Sequence, residues 1–357
     1  MIKEYDFPYK WTLKDAIFTK DKGKVFSCFA CGGGSTMGYK LAGFDVLGCN
    51  EIDPKMIEAY KVNHNPKYSY LEPIQTFKDR NDLPNDLYDL DILDGSPPCS
   101  SFSMAGSREK DWGKEKIFRE GQAEQVLDTL FFDFIDLGKK LQPKVVIAEN
   151  VKGLLLGNAR EYVRNIYDAF DKAGYYCQHF LLDASKMGVP QRRERVFFIC
   201  LRKDLASNFL YQKDMFTILP KLELQYNYAE IPFKKIDTNI SEKGENRFSP
   251  MLEKHWDIWG IGKSYNEVNH PSYSGFGYIK VNPERAIQTI LAHPESGTYH
   301  HKYKRQLNNY EYILCGTYPT DYNFLDNKAK YLIGMSVPPV MTAQIASQVF
   351  DQWLNKL

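Results

Sequence analysis

A cysteine in a proline-rich turn is the residue of this sequence whose surroundings most favour chemistry. The turn reads Gly95-Ser-Pro-Pro-Cys99-Ser-Ser-Phe-Ser103 and follows residues 87–93, which are predicted to form a buried strand. Open α/β sheets bind their ligands at the carboxyl ends of strands. Two prolines fix the backbone of the turn, so it would present the Cys99 thiol instead of burying it in a strand or helix. Taken alone, an unpaired cysteine more often fills an apolar gap.

Charged residues at two further strand ends could act beside this thiol. Glu149 follows the apolar run 145–148, and the turn Gln191-Arg-Arg-Glu-Arg195 precedes the apolar run 196–200. A carboxyl group at a sheet edge can transfer a proton, and guanidinium groups can hold a base edge or phosphates. A solvated strand-end glutamate and a solvated turn remain the alternative interpretations.

A glycine-rich turn predicts a nucleoside-containing ligand. Residues 25–29 are predicted to form a strand that enters Ala30-Cys-Gly-Gly-Gly-Ser-Thr-Met-Gly38. The turn matches neither GxGxxG, because Met37 replaces the third glycine, nor a P-loop, because Tyr39 follows Gly38. Glu51 ends the next predicted strand, where an acidic side chain can accept hydrogen bonds from both ribose hydroxyls.

Composition limits the class of protein. The chain has 357 residues, 43% of them hydrophobic, and 46 basic against 45 acidic residues, for a net charge of +1. This length predicts one large α/β domain and a smaller one. A nucleic-acid partner would have to bind local basic patches. Seven cysteines indicate a reducing cytoplasm, and Cys28-x-x-Cys31 has no second pair nearby, so we expect no metal site.

Two segments depart from the βα alternation. Residues 100–121 are rich in glycine and charge, which predicts a mobile lid rooted at Cys99. Residues 202–282 are rich in aromatic residues and glycine, as suits adaptable contacts to base edges and phosphates. The alternative for the second segment is an ordinary small α+β insert.

Together these motifs resemble those of DNA cytosine-C5 methyltransferases that use S-adenosylmethionine. They occur in the family's order and cover residues 25–350 except for one variable region. The matching segments are Phe29-Ala-Cys-Gly-Gly-Gly34, Asn50-Glu51, Gly95-Ser-Pro-Pro-Cys99, Glu149-Asn-Val151, Gln191-Arg-Arg-Glu-Arg195 and Ile333-Gly-Met-Ser-Val-Pro-Pro339.

The resemblance implies an architecture and a mechanism. The expected fold is α/β, a Rossmann-like methyltransferase fold with a mixed, mostly parallel sheet and helices on both faces, plus a small target-recognition domain. The expected domains are residues 1–201, the recognition domain 202–300, and 301–357, which returns to the catalytic domain. The Cys99 thiolate would add to C6 of a flipped-out cytosine, Glu149 would protonate N3, and Arg195, with Arg193, would hold O2.

The same resemblance assigns binding residues and partners. The S-adenosylmethionine contacts are expected from Phe29, Ala30, Cys31, Gly32, Gly33, Gly34, Glu51, Ile52, Ile74, Pro98, Leu130, Met335, Ser336 and Val337. The DNA contacts are expected from Ser103, Arg108, Arg192 and Arg305. Four positions depart from the family pattern, namely Cys31, Ile52, Pro73 and Met335.

The expected partner is double-stranded DNA, with a separately encoded restriction endonuclease as a further candidate. A monomeric, cytoplasmic protein of bacterial or phage origin is expected, without a signal peptide or a transmembrane segment. Three alternatives remain open: a tRNA cytosine-C5 methyltransferase, a non-catalytic DNA-binding relative and a nicotinamide-binding oxidoreductase. The product of the cofactor would be S-adenosylhomocysteine.

Overall fold

A computed structural model describes most of the chain. It covers residues 2–98, 115–116, 125–126, 129–156, 159–215, 217–239, 250–269, 277–293 and 297–357. Cys99, Ser103, Arg108 and most of the predicted lid lie outside these ranges. The described residues divide into two compact units. The sheet unit comprises residues 17–182, 194–225 and 342–357, and the second unit comprises residues 1–16, 183–193 and 226–341.

The described part of the chain contains short strands in both units and helices throughout. The strands are β1 Lys24–Cys28, β2 Asp45–Glu51, β3 Tyr68–Leu71, β4 Ile92–Gly95, β5 Glu115–Lys116, β6 Gln125–Val126, β7 Val145–Val151, β8 Tyr175–Asp183, β9 Glu194–Arg202, β10 Leu210–Gln212, β11 Ile218–Pro220, β12 Ile279–Lys280 and β13 Thr298–Tyr299. The helices are α1 Gly34–Leu41, α2 Pro54–His64, α3 Ile74–Asp79, α4 Leu130–Leu141, α5 Ala159–Lys172, α6 Pro250–His255, α7 Asn266–Asn269, α8 Asn309–Cys315, α9 Ala329–Met335 and α10 Pro339–Gln352.

Seven of the described strands form one mostly parallel sheet. Its order is β3-β2-β1-β4-β7-β9-β8, with parallel pairing from β3 through β7 and antiparallel pairing between β7 and β9. Parallel strands covered by helices on both faces read as continuous apolar runs, and the burial of β1, β4 and β7 follows that rule. The α/β fold with a mixed sheet, expected from the sequence, is therefore confirmed.

Strand β4 starts later than the sequence predicted. Residues 87–93 were expected to form one strand, but Asn85–Tyr88 form a 3-10 turn that begins after Pro84. Leu87 is fully buried by that turn, which explains its apolar character without a strand. The strand is Ile92–Gly95, and Gly95 is required at its end because a Cβ atom there would lie 2.5 Å from Cε2 of Phe134.

The second unit is built around a different core. Its aromatic cluster contains Leu252, Trp256, Trp259, Tyr265 and Tyr299. The buried Lys280 donates to the Trp256 carbonyl at 2.6 Å, and its ammonium lies 3.9 Å from the centre of the Trp256 ring. A cation over an indole face is a stabilising arrangement. Three aromatic residues of the segment 202–282, namely Trp256, Trp259 and Tyr265, thus form part of a local core.

The first sixteen residues belong to this second unit. Trp11 donates from Nε1 to the Thr317 carbonyl at 3.1 Å, and Tyr9 donates to the Gly188 carbonyl at 2.6 Å. Gly188 has a φ of 73°, and a Cβ atom there would lie 2.3 Å from the Tyr5 ring. The sequence offered no interpretation of the aromatic N-terminal segment. In the structure it packs against other residues of the second unit.

The boundaries of the units differ from the predicted domains at 1–201, 202–300 and 301–357. Residues up to 225 belong to the sheet unit, in which the segment after the β10–β11 hairpin bonds α10. Gln352 Nε2 of α10 donates to the Glu223 carbonyl at 3.0 Å. Helices α8 and α9 belong to the second unit. None of the helices in the described ranges combines the length and the apolar character needed to span a bilayer.

Candidate active site

The turn that leads to Cys99 and the predicted acid Glu149 leave the sheet from neighbouring strands. Gly95 at the end of β4 pairs in parallel register with Ala148 of β7. Glu149 is the next residue of β7 and is half-buried. The carboxyl edge of the sheet therefore carries both segments, as their positions in the sequence predicted.

Glu149 forms an ion pair with Arg195. Arg195 Nε lies 2.8 Å from Glu149 Oε1, and the two side chains are only 15% and 12% exposed. Val151 pairs with Arg195 across β7 and β9, so Glu149 and Arg195 are diagonal neighbours on one face of the sheet. Burial lowers the pKa of Arg195 below its usual value, and the Glu149 carboxylate opposes that shift. The structure thus brings two of the predicted catalytic residues into direct contact.

Asn150, the residue after Glu149, holds the turn that precedes Cys99. Its side-chain amide is buried and donates to the Pro97 carbonyl at 3.1 Å. Pro97 and Pro98 have no backbone N–H to donate, so this segment has fewer backbone hydrogen bonds available to hold it. The hydrogen bond from Asn150 to the Pro97 carbonyl therefore restricts its position. Two adjacent residues of β7 therefore bond Arg195 and the segment that precedes Cys99. Cys99 itself lies outside the described residues.

The glycine turn closes over Glu51. The Glu51 carboxylate accepts hydrogen bonds from the backbone N–H groups of Cys31 at 2.7 Å, Ile52 at 2.8 Å and Asp53 at 2.9 Å. Burial raises the pKa of Glu51, and these three hydrogen bonds oppose the increase. The carboxylate is therefore oriented towards the turn, as a ribose-binding group in this position would be.

The turn requires glycine at its last position before α1. Gly33 has a φ of 84°, and a Cβ atom there would lie 2.2 Å from Nε2 of His64. His64 is buried, which lowers its pKa to about 3. A neutral His64 imidazole therefore packs against Gly33 and supports the turn. This contribution of α2 was not predicted from the sequence.

The remaining cofactor residues predicted in the sheet unit lie around the same edge. Phe29 has a φ of 52°, is half-buried and packs edge-on against Phe134, with ring centres 6.3 Å apart. Ile74 and Leu130 are buried members of the core cluster against which Phe29 packs. Ala30 and Gly32 are buried, whereas Ile52 and Pro98 are half-buried. Phe29 is the aromatic side chain of this group that retains an exposed part.

A buried carboxylate that sequence reasoning missed lies beneath this turn. Asp94 of β4 is 4% exposed and accepts hydrogen bonds from Ser27 at 2.7 Å, Ser35 at 2.8 Å and Tyr39 at 3.0 Å. Burial raises the pKa of Asp94 to about 6, against the lowering effect of these three donors. The signal in the sequence was one acidic residue inside the apolar run before Gly95.

Arg193 belongs to the second unit, where its side chain bonds backbone carbonyls. It is 2% exposed, and its guanidinium donates to the carbonyls of Gly334 at 3.0 Å and Ile290 at 3.4 Å. Gly334 precedes the three residues predicted to complete the cofactor pocket. Ser336 and Val337 are buried and Met335 is half-exposed in this unit. In this structure Arg193 holds the segment that carries these residues.

The two predicted DNA contacts that fall within the described ranges have different surroundings. Arg192 is half-buried, and no ion pair of its side chain is found among the described residues. Arg305 is 2% exposed and binds Glu311 through two hydrogen bonds of 2.8 Å. Glu311 also caps α8 together with Asn308. Arg305 therefore has a structural role in this geometry.

Replacing Arg305 should destabilise the second unit without a direct effect on the sheet unit. Arg305→Leu leaves the Glu311 carboxylate buried without its cation, so the free energy of unfolding should fall by about 3–5 kcal/mol. Lys304→Leu is the matched control, because the Lys304–Glu253 pair is exposed on both sides and should contribute about 1 kcal/mol or less. Denaturant unfolding of both variants measures the difference. Equal losses would show that the Arg305 pair contributes no more than a surface pair.

One cluster with metal-binding residue types is explained by its hydrogen bonds. Asp237, His300 and His301 place ligand-type atoms within 4.8 Å of one another. Nδ1 of His300 accepts from the backbone N–H groups of Lys302 and Tyr303 at 3.0 and 3.2 Å. Nε2 of a neutral His300 must then carry the proton and donate to Asp237 at 3.1 Å, which leaves this nitrogen without a lone pair for a metal.

Most of the chain matches a known family of proteins. The family model for C-5 cytosine-specific DNA methylase matches residues 23–351. The Type II methyltransferase M.NgoFVII of Neisseria gonorrhoeae is 26% identical over 346 residues, which cover 93% of this chain and 87% of the relative. The Type II methyltransferase M.DdeI of Desulfomicrobium norvegicum is 26% identical over 379 residues, covering 91% and 88%.

A solved structure supports the fold. A DNA modification methyltransferase encoded within an E. coli prophage superposes with a TM-score of 0.63 at 20% identity, covering 92% of this chain and 99% of that chain. At this level of identity the likeness concerns the fold alone, and it agrees with the mostly parallel seven-stranded sheet. The description of the matching family names DNA, which favours DNA over tRNA as the substrate.

Proposed function

The chain belongs to the family of C-5 cytosine-specific DNA methylases, and we propose that it transfers the methyl group of S-adenosylmethionine through a covalent bond between Cys99 and C6 of cytosine. DNA cytosine-5-methyltransferase activity follows from the family and from the full-length Type II relatives. The observation that carries the mechanistic proposal is the Glu149–Arg195 pair at the strand end beside the Gly95-Cys99 turn.

The described residues suit S-adenosylmethionine. The Phe29 ring keeps an exposed part on which an adenine can stack, and the Glu51 carboxylate can accept from ribose hydroxyls. A bound S-adenosylmethionine would supply an electrophilic methyl group. The main-chain N–H groups of the glycine turn would orient its methionine portion, since glycines let the backbone approach closely.

The chemistry of cytosine explains why the chain needs three groups. C5 of cytosine is a poor nucleophile, so the Cys99 thiolate first forms a bond to C6 and makes C5 electron-rich. This addition puts negative charge on the ring, and a proton from Glu149 to N3 removes it. Arg195 would hold Glu149 in place and bind O2 of the base. Once C5 has accepted the methyl group that the cofactor would supply, loss of the C5 proton and expulsion of the thiolate would restore the double bond, and the N3 proton would return to Glu149.

Target choice is assigned to the variable region between the catalytic motifs. The described residues between 226 and 341 belong to the second unit, which has its own aromatic core. We assign the reading of base edges to this unit, with Arg192 and the residues outside the described ranges, Ser103 and Arg108, as DNA contacts. A monomer that acts on double-stranded DNA, with a separately encoded restriction endonuclease as the functional partner, completes the proposal.

The proposal is tested by identifying the methylated nucleoside. Purified protein is incubated with S-adenosylmethionine carrying a labelled methyl group and either duplex DNA of mixed sequence or tRNA, and the digested nucleosides are separated by mass. The expected product is labelled 5-methyldeoxycytidine from DNA. Label in 5-methylcytidine from tRNA alone would contradict the proposed substrate, and nucleosides without label would contradict the proposed donor.

A further inference from the structure

The buried cluster around Asp94 connects the two elements on which the proposed reaction depends. Strand β4 leads to residues 96–98, which precede Cys99 in the sequence, and α1 begins directly after the glycine turn. Asp94 lies on β4, Ser27 on β1 and Ser35 in the first turn of α1. A carboxylate on the strand that leads to Cys99 therefore accepts hydrogen bonds from the strand before the glycine turn, through Ser27, and from the helix after it, through Ser35.

We propose that Asp94 is a positioning residue that holds the glycine turn in the geometry that binds S-adenosylmethionine. This inference rests on the proposed function. Asp94 does not itself contact the cofactor. It acts through Ser35 and Tyr39, because both hydroxyls donate to its carboxylate and both belong to α1.

The geometry of the cluster favours an ionised carboxylate. Ser27 and Asp94 are register partners on β1 and β4, so their side chains leave the sheet on the same face. Ser27 and Ser35 both donate to Oδ2, and Tyr39 donates to Oδ1. An ionised carboxylate offers acceptor sites for all three donors, and hydrogen bonds to an ionised group are stronger than neutral ones. A protonated Asp94 uses one oxygen as a donor and weakens this set.

Near neutral pH, Asp94 is the group of this cluster whose charge changes. Cys28 on β1, Tyr39 on α1 and Tyr60 on α2 interact electrostatically with Asp94, and burial raises the pKa of each well above the ordinary value. On β7, Glu149 raises the pKa of Asp94 and is itself paired with Arg195. The thiol and the phenols therefore stay neutral when Asp94 ionises.

Ionisation of Asp94 opposes folding stability. Burial raises the pKa of Asp94 to about 6 in the folded protein, from an ordinary value of 3.8. The folded state therefore binds more protons than the unfolded state between these values, and this contribution to stability is lost as the pH rises through 6. The carboxylate thus strengthens its hydrogen bonds at neutral pH at the expense of stability, as is common for functional sites.

The decisive variant is Asp94→Asn in the full-length protein, with S-adenosylmethionine binding measured by calorimetry. At about pH 8 the dissociation constant should rise about tenfold, because charge-assisted hydrogen bonds are lost. At about pH 5 the two proteins should converge, since the wild-type carboxylate is then protonated. Titration of Glu51 affects both proteins equally, so the ratio of their dissociation constants isolates Asp94.

Thermal unfolding without cofactor provides a readout that separates positioning from structural support. The melting temperature of Asp94→Asn minus that of wild type should increase as the pH rises from about 4.5 to 7.5, because the variant lacks the ionisation that opposes folding. Weaker cofactor binding would then accompany improved relative stability. A residue that only supports the fold would lose affinity and stability together.

Two further variants keep the inference open to contradiction. Tyr39→Phe removes one donor and should raise the dissociation constant about fivefold at about pH 8. Asp91→Asn is the matched control, because Asp91 precedes β4 at its opposite end and bonds the Lys24 N–H and Lys144 at 2.7 Å each. It should leave cofactor affinity unchanged. Asp94→Asn with wild-type affinity at about pH 8 would overturn the inference, whereas a wild-type protein that does not bind S-adenosylmethionine would overturn the proposed cofactor as well.

Discussion

Cys99→Ser should reduce methyl transfer to DNA by about 10⁴-fold or more, because a serine hydroxyl is a far weaker nucleophile towards C6 of cytosine. Binding of S-adenosylmethionine should remain near the wild-type value, since the predicted cofactor residues do not include this thiol. Single-turnover methylation and calorimetry measure the two quantities. The buried Asn150 amide that holds Pro97 is unchanged by the substitution, so the turn before position 99 should keep its geometry.

A second cysteine provides the control for this variant. Cys177 is buried in β8 and lies on the strand at the far edge of the sheet. Cys177→Ser replaces the same atom in the protein interior and should lower thermal stability while keeping the methylation rate. If Cys99→Ser methylated DNA as fast as Cys177→Ser, Cys99 would not be the nucleophile.

Glu149→Gln should slow the chemical step by about 10²-fold or more, the usual scale of general acid catalysis. The amide keeps the shape of the side chain and an oxygen that can accept from Arg195 Nε, but it has no acidic proton to give to N3. DNA binding should persist. The single-turnover rate at saturating cofactor and DNA, together with the thermal midpoint, distinguishes an acid from a residue that only braces Arg195.

The adjacent strand offers a matched carboxylate for this comparison. Glu194 lies next to Arg195 and pairs with Lys152 at 2.8 Å, but its side chain is 46% exposed. Glu194→Gln removes a surface charge from the same region and should change neither the rate nor the stability by a measurable amount. A near-wild-type single-turnover rate for Glu149→Gln would remove Glu149 from the catalytic residues while leaving Cys99 among them.

The sequence predicted the features of the site that depend on strand ends. Buried strands were predicted before the glycine turn, before Gly95 and before Glu149, although the strand before Gly95 starts later than expected. Parallel strands end at one edge, so the proximity of Gly95 and Glu149 followed from the sequence pattern. The Glu149–Arg195 contact required more, because it depends on the antiparallel register between β7 and β9. The family resemblance assigned both residues to catalysis, and this register explains how they form an ion pair.

The structural roles of the other arginines could not be predicted from the sequence. Arg193 and Arg305 stand in charged, polar segments that suit a solvated or DNA-facing surface, yet both are 2% exposed. Their partners are the Gly334 carbonyl and Glu311. Partners of this kind are set by tertiary packing and not by local periodicity. Asp94 is the converse case, since a single acidic residue in an apolar run gives no indication of which donors surround it.

The most direct test of the proposed mechanism is a trapping experiment with duplex DNA that contains 5-fluorocytosine. After methyl transfer, C5 carries fluorine in place of the proton that must leave, so the bond between Cys99 and C6 should persist. Wild-type protein with S-adenosylmethionine should give a denaturation-resistant protein–DNA adduct whose modified peptide contains Cys99, and Cys99→Ser should give none. An active wild-type protein that forms no adduct, or an adduct at another cysteine, would contradict the mechanism.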